Sequence, residues 1–172
     1  MVTEFRKLLA GVFTAVWVAG SMVLAGCATS GDVGQKPQAS QVRQITQSAH
    51  CGLTGPGLAY VRSAEELQQL LGLPAQNMAV QQLRQVNLDQ EYLVFVTLGE
   101  KPTGGYSASL VSASADADTG NLQLTMDMRS PAPGAMVTQA LTSPCVVVAV
   151  PASDWSQILV SGIRDRDLIL EP

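Results

Sequence analysis

The sequence predicts an α+β fold: an N-terminal helical portion, then a mostly antiparallel β-sheet of about five to seven short strands, open to a sandwich-like arrangement. Three observations carry this expectation. A helix start signal, Ser63-Ala64-Glu65-Glu66, precedes an apolar helical face at Leu67, Leu70 and Leu71. After Asp89-Gln90-Glu91 the apolar period changes, and Tyr92 to Leu98 runs as a continuous aromatic and β-branched stretch. Further on, Leu122, Leu124, Met126 and Met128 alternate with Gln123, Thr125, Asp127 and Arg129. That is the period of a strand with one face buried.

Residues 1–26 predict an export signal that is removed. Arg6 and Lys7 give a short basic start, and Leu8 to Leu24 follow without a charge. At about 17 residues, that stretch is at the short limit for a membrane span. It ends in Leu24-Ala25-Gly26-Cys27, which matches the lipobox of lipoprotein signal peptides. Small residues at Ala25 and Gly26 let the backbone enter a peptidase groove, and the Cys27 thiolate can accept a diacylglycerol. The expectation is a lipoprotein whose anchor is a membrane, held by palmitate-type chains at about 0.8 kcal/mol per buried methylene. Ala28 stands where an Asp commonly marks inner-membrane retention. For a host with two membranes this predicts a cell-envelope protein on the outer membrane, facing the periplasm.

Residues 27–50 hold the lipidated cysteine and then a run of Ser, Gln, Gly and Thr with few apolar side chains. Such a composition buries too little surface to offset its ordering entropy. A flexible tether is expected, spanning on the order of 25 Å as a coil of about 22 residues. Residues 51–172 remain, enough for one domain around one core. The whole chain carries 10 Lys and Arg against 14 Asp and Glu, a net charge of −4. Loss of Glu4, Arg6 and Lys7 with the leader makes it one unit more negative. The charges are scattered, with no basic run, which argues against nucleic acid as a partner because counterion release needs clustered cations.

Lipidation of Cys27 leaves Cys51 and Cys145, and two leftover thiols in an oxidising compartment usually pair as a disulfide. The bridge would close a loop of about 95 residues, for which loop-closure entropy assigns roughly 4–5 kcal/mol before native strain is subtracted. The other reading, a reactive Cys51 with His50 as its base, meets a geometric objection: neighbours in an extended chain point to opposite faces. With a single His in the chain, neither a metal site nor a cofactor is expected.

Within the domain, Gly55-Pro56-Gly57 signals a turn and Leu58 to Val61 a short strand. In the helix that follows, the Ser63 oxygen takes the N3 amide and the Glu66 carboxylate returns to the cap. Gly72 and Pro74 stop it, and Ala79, Leu83 and Val86 form a second, weaker stripe. Tyr92 to Leu98 reads as a strand buried on both faces. Gly104-Gly105 turns the chain into Tyr106, Ala108 and Leu110, which alternate with Ser107 and Ser109. Asp118 to Asn121 makes the next turn, and Pro131 to Gly134 makes a loop. Cys145 to Val150 is a continuous apolar strand, and Ile158 to Val160 and Leu168 to Leu170 are the last two.

Three blocks stand out together: Leu98-Gly99-Glu100-Lys101-Pro102-Thr103-Gly104-Gly105-Tyr106, then Pro131 to Gly134, then Gln139 to Cys145 running into Val146-Val147-Val148. In order and spacing they resemble the C-terminal domain family of the protease complex subunit PrcB, over about residues 91 to 151. That family takes its name from a non-catalytic lipoprotein subunit that joins a secreted protease. The resemblance therefore implies a protein partner, with a protease as the first candidate, and it supplies no catalytic residues.

The most specific block, Lys101, Pro102, Thr103, Gly104, Gly105 and Tyr106, has two readings. Pro102 presets φ and the glycines tolerate positive φ, which suffices for a hairpin turn with Tyr106 in the core. A rigid exposed turn with an aromatic beside it also suits partner contact. The same residues are similar to the Asn-Pro-Thr-Thr-Gly-Tyr loop of chagasin-type cysteine protease inhibitors, with Lys101 in place of the Asn and Gly104 in place of the second Thr. The later Arg-Pro-Trp type loop of those inhibitors has no counterpart here.

Catalysis finds little to build on. A serine triad would have to use His50, and no Gly-x-Ser-x-Gly elbow, phosphate-binding Gly loop or paired zinc-ligand motif occurs. Asp116, Asp118 and Asp127 lie in or beside turns and on a polar strand face. The leading expectation is a non-catalytic, membrane-anchored binding or assembly module of the cell envelope, as in a protease complex. Inhibition of cysteine proteases through Lys101 to Tyr106 is the alternative, and an enzyme of unknown type comes third.

Overall fold

The computed structural model describes residues 41–74 and 76–172. Among them lie the strands β1 (Arg43–Ser48), β2 (Pro56–Val61), β3 (Glu91–Leu98), β4 (Ser107–Asp116), β5 (Asn121–Arg129), β6 (Cys145–Pro151), β7 (Gln157–Ser161) and β8 (Leu168–Leu170). Two short helices, α1 (Ala64–Leu71) and α2 (Val80–Arg84), stand between β2 and β3. The strands form two four-stranded sheets, in the orders β1-β6-β3-β2 and β4-β5-β7-β8. The first is antiparallel throughout, and in the second β5 and β7 run parallel.

Alternate residues of β3 and β6 serve two different cores. Val94, Val96, Val146, Val148 and Val150 pack with Leu122, Leu124, Met126, Ile158 and Val160 of the second sheet. Leu93, Phe95, Val147 and Ala149 pack instead with Val61, Leu67, Met78, Leu83 and Val86 on the helical side. A strand covered on both faces has no reason to alternate, which is why Tyr92–Leu98 and Cys145–Val150 read as unbroken apolar runs. β5 alternates because only one of its faces is covered.

The helical side is a cover. Ser63 Oγ accepts the Glu66 N–H at 3.2 Å, as the start signal predicts. The returning Glu66 carboxylate accepts from the Arg62 N–H at 2.6 Å, one residue before the cap. α1 has 8 residues and α2 has 5. Helices this short are stabilised by packing their apolar stripe on the sheet more than by propensity.

The expectation of an α+β fold with an N-terminal helical portion is therefore corrected: the fold is mostly β, and two strands precede the helices. The strand missed is β1, which falls inside residues 27–50, read as tether. Its sequence, Arg-Gln-Ile-Thr-Gln-Ser, has one apolar residue because it is an edge strand. Backbone pairing to β6 holds it, with no need for a hydrophobic face. Across β6, the Arg43 guanidinium meets Glu91 of β3 with two hydrogen bonds, at 3.1 and 2.6 Å. The expected leader, Cys27 and the expected tether as far as residue 40 lie outside the described residues.

Register defines two ends. Arg43 pairs with Ala149, and Glu91 with Pro151, at the end where the chain enters from β1. Thr97 pairs with Cys145 at the far end. The 8 residues of β3 separate the two by about 25 Å, at ~3.3 Å per residue.

Candidate partner-binding end

All three sequence blocks arrive at the far end. β3 stops at Leu98 in one sheet and β4 starts at Ser107 in the other, so residues 99–106 cross between sheets. The hairpin reading of this segment is corrected accordingly, since hairpin strands must be hydrogen-bonded neighbours and these are not. Instead the segment is a strap pinned to the third block and to the residue before it, Thr138. Lys101 and Thr142 exchange backbone hydrogen bonds at 2.8 and 2.9 Å, and Gly104 N–H donates to the Thr138 carbonyl at 2.9 Å. Thr142 Oγ1 also donates to the Thr103 carbonyl at 2.9 Å.

The second block touches the strap through Gly105. This residue has φ +88°, and a Cβ there would lie 2.9 Å from Pro131 Cγ and 3.0 Å from Val137 Cγ1. Both the backbone conformation and the space require glycine. Tyr106 packs its ring against the inter-sheet core, as its sequence suggests. Lys101 Nζ stands 5.5 Å from the centroid of that ring, a cation–π distance that positions the ammonium. Lys101 is half-buried, while Pro102 and Gly105 are exposed.

Beside the strap runs the connection from β5 to β6, residues 130–144. Connections beyond ~12–15 residues without regular structure are uncommon and mostly functional or disordered. This one presents Met136, completely exposed, and Leu141, 65 % exposed. Met136 was not legible as a site residue. The available signal was an apolar side chain in a Pro-, Gly- and Thr-rich stretch with no strand or helix period to bury it.

The Cys51–Cys145 disulfide is present, with Cα atoms 6.0 Å apart, and it fastens this same end. Both residues are buried, and Ser143 Oγ accepts from the N–H groups of Cys51 and Gly52 at 3.1 and 3.2 Å. A bonded Cys51 leaves no thiol for His50 to activate. Among the described residues no group of three His, Cys, Asp or Glu is placed to hold a metal ion. Tyr60 lies away from the strap, on β2. Burial, reinforced by Tyr92, pushes its phenol pKa up, so the hydroxyl stays neutral.

Comparison with known proteins adds one finding: a family model described as PrcB C-terminal matches residues 92–151, from β3 through β6. The match includes the strap and all three blocks. No curated protein and no solved structure matches the chain.

Proposed function

With residues 92–151 of the PrcB C-terminal family, we propose that this chain is a membrane-anchored, non-catalytic lipoprotein of the cell envelope that binds a partner protein with its far end, as a subunit associated with a protease complex. One observation carries the reading: the family's three blocks converge on a pinned strap beside the exposed Met136 and Leu141. Large apolar side chains on a braced surface lose little entropy when a partner covers them. The anchor rests on the lipobox at Cys27. Within the described residues the chain enters the fold at Arg43, at the end opposite the strap.

The experiment is affinity capture from detergent-solubilised envelope, using the full chain with a C-terminal tag. Leu170 pairs with Ile158, so the tag sits at the entry end. Replacing Met136→Ser together with Leu141→Ser is expected to abolish capture of a defined partner while leaving the urea midpoint unchanged. Capture indifferent to both replacements would return the far end to a purely structural role. Slowing of a papain-like protease by the full chain, lost on altering the strap, would move the reading to inhibition.

A further inference from the structure

The inter-sheet core is not finished at the far end. Along β5, Leu122, Leu124 and Met126 are buried, and Met128 follows them in parity, so its side chain leaves on the core-facing side. It is covered only in part there, and stays 40 % exposed. Opposite stands Ala108, a small residue that adds no lid. Beside Met128 opens a groove of about 290 Å³, floored by Leu98 and Ile163, both only 4 % exposed. An apolar side chain entering this groove would meet core residues directly.

The same groove is lined by Lys101 and Arg164, against a single carboxylate, Glu100. In a chain of net charge −4 this is a local excess of positive charge. The ion pairs among the described residues are Arg43–Glu91 and Arg129–Asp127, and neither groove cation takes part. Lys101 is moreover held in place, by its paired backbone and by the Tyr106 ring.

Deepening the partner-binding reading, on which this rests, we propose that the mouth between the sheets receives an apolar side chain of the partner polypeptide, with an adjacent Asp or Glu side chain of the partner meeting Lys101 and Arg164. The apolar residue completes the core that Met128 leaves open. The carboxylate supplies the charge that the groove lacks and sets which apolar segments are accepted. An isolated hydrophobic residue would gain the first interaction alone.

The test uses the full chain in detergent micelles, titrated with acetyl-Gly-Gly-Leu-Glu-Gly-Gly-amide and with its Leu-Gln counterpart, followed by amide and methionine-methyl NMR shifts. Saturable shifts are expected at Gly99 to Lys101, Ile163, Arg164 and the Met128 methyl. Binding of the Leu-Gln peptide should be weaker by about threefold, the scale of an exposed ion pair. Arg164→Gln, at an exposed position that leaves the fold intact, should remove most of that preference. Equal affinity for both peptides, shifts elsewhere, or no saturation at millimolar peptide would overturn the proposal. Envelope capture that still depends on Met136 and Leu141 would then leave the broader reading standing without this groove.

Discussion

The two ends of the sandwich are finished in opposite ways. At the entry end the core is plugged: Trp155, 5 % exposed, lies in the inter-sheet cluster and donates its indole N–H to the Pro151 carbonyl at 3.0 Å. The connections leading into strands of the second sheet there are short, residues 117–120 between β4 and β5 and 152–156 between β6 and β7. At the far end the equivalent place is an open groove beside Met128, bordered by a strap and a long loop. The difference teaches where stability and recognition are divided. One end spends its aromatic on closing the core, and the other is braced by backbone hydrogen bonds and a disulfide while its apolar side chains stay in water.

If that division holds, damage at the plug should cost the most. Trp155→Ala removes a buried aromatic and opens a cavity, and unfolding free energy in urea should drop by roughly 3–5 kcal/mol. Trp155→Phe should recover much of it by keeping most of the volume. A loss near zero for the Ala variant would mean the entry end is not closed by this residue, and the contrast between ends would disappear.

The far end depends on its covalent fastening instead. Replacing Cys51 and Cys145 together by Ser should lower stability by about 2–4 kcal/mol through the lost constraint on the unfolded chain. The sharper readout is local. Amide exchange should quicken around Leu98, Lys101, Gly104 and Thr142, whose hydrogen bonds knit strap to loop, and less around Ala152 and Ser156 at the other end. Uniform quickening at both ends would show that the disulfide stabilises the whole molecule without particular service to the strap.

How much of this the sequence discloses depends on what each feature is made of. Where burial decides, the residues announce it: the apolar runs of β3 and β6, the alternation of β5, and the Ser63 cap all lie where the pattern puts them. β1 was hidden because its position is fixed by backbone pairing, which Gln, Thr and Ser do not advertise. The prominence of the helices in the sequence has a related cause. A strong cap marks where a helix begins and says nothing of whether the layer beside it is larger. At the far end, glycine and proline made the strap conspicuous, and only the pairing with Thr142 and the assignment of β3 and β4 to different sheets reveal that it is not a hairpin. Met128 belonged to the cleanest alternating run in the chain, so its exposure could come only from knowing where the opposite sheet ends.

The smallest expected effect concerns the polar closure of the entry end. Asp116 Oδ1 accepts the Asp118 N–H at 2.9 Å and the Thr119 N–H at 3.3 Å, and Gly120, at φ +71°, returns its N–H to the Asp116 carbonyl. Hydrogen bonds from Asp118 first and Thr119 second stabilise the ionised carboxyl and hold its pKa below the ordinary 3.8. A folded-state pKa below the unfolded one fixes the sign: the contribution is fully present above the unfolded value and is lost as pH falls through the lower, folded one. The comparison that isolates it is the urea midpoint of the parent minus that of Asp116→Asn, whose amide oxygen can still accept but carries no charge. This difference should stay flat from neutral pH down to about pH 4, near the ordinary Asp value, and shrink below it. Because the carboxylate is exposed to water, the change should be small beside the loss from Trp155→Ala. A difference that widens on acidification would reverse the sign and place the stabilising interaction with the protonated acid, and the tight turn would then need a different cause.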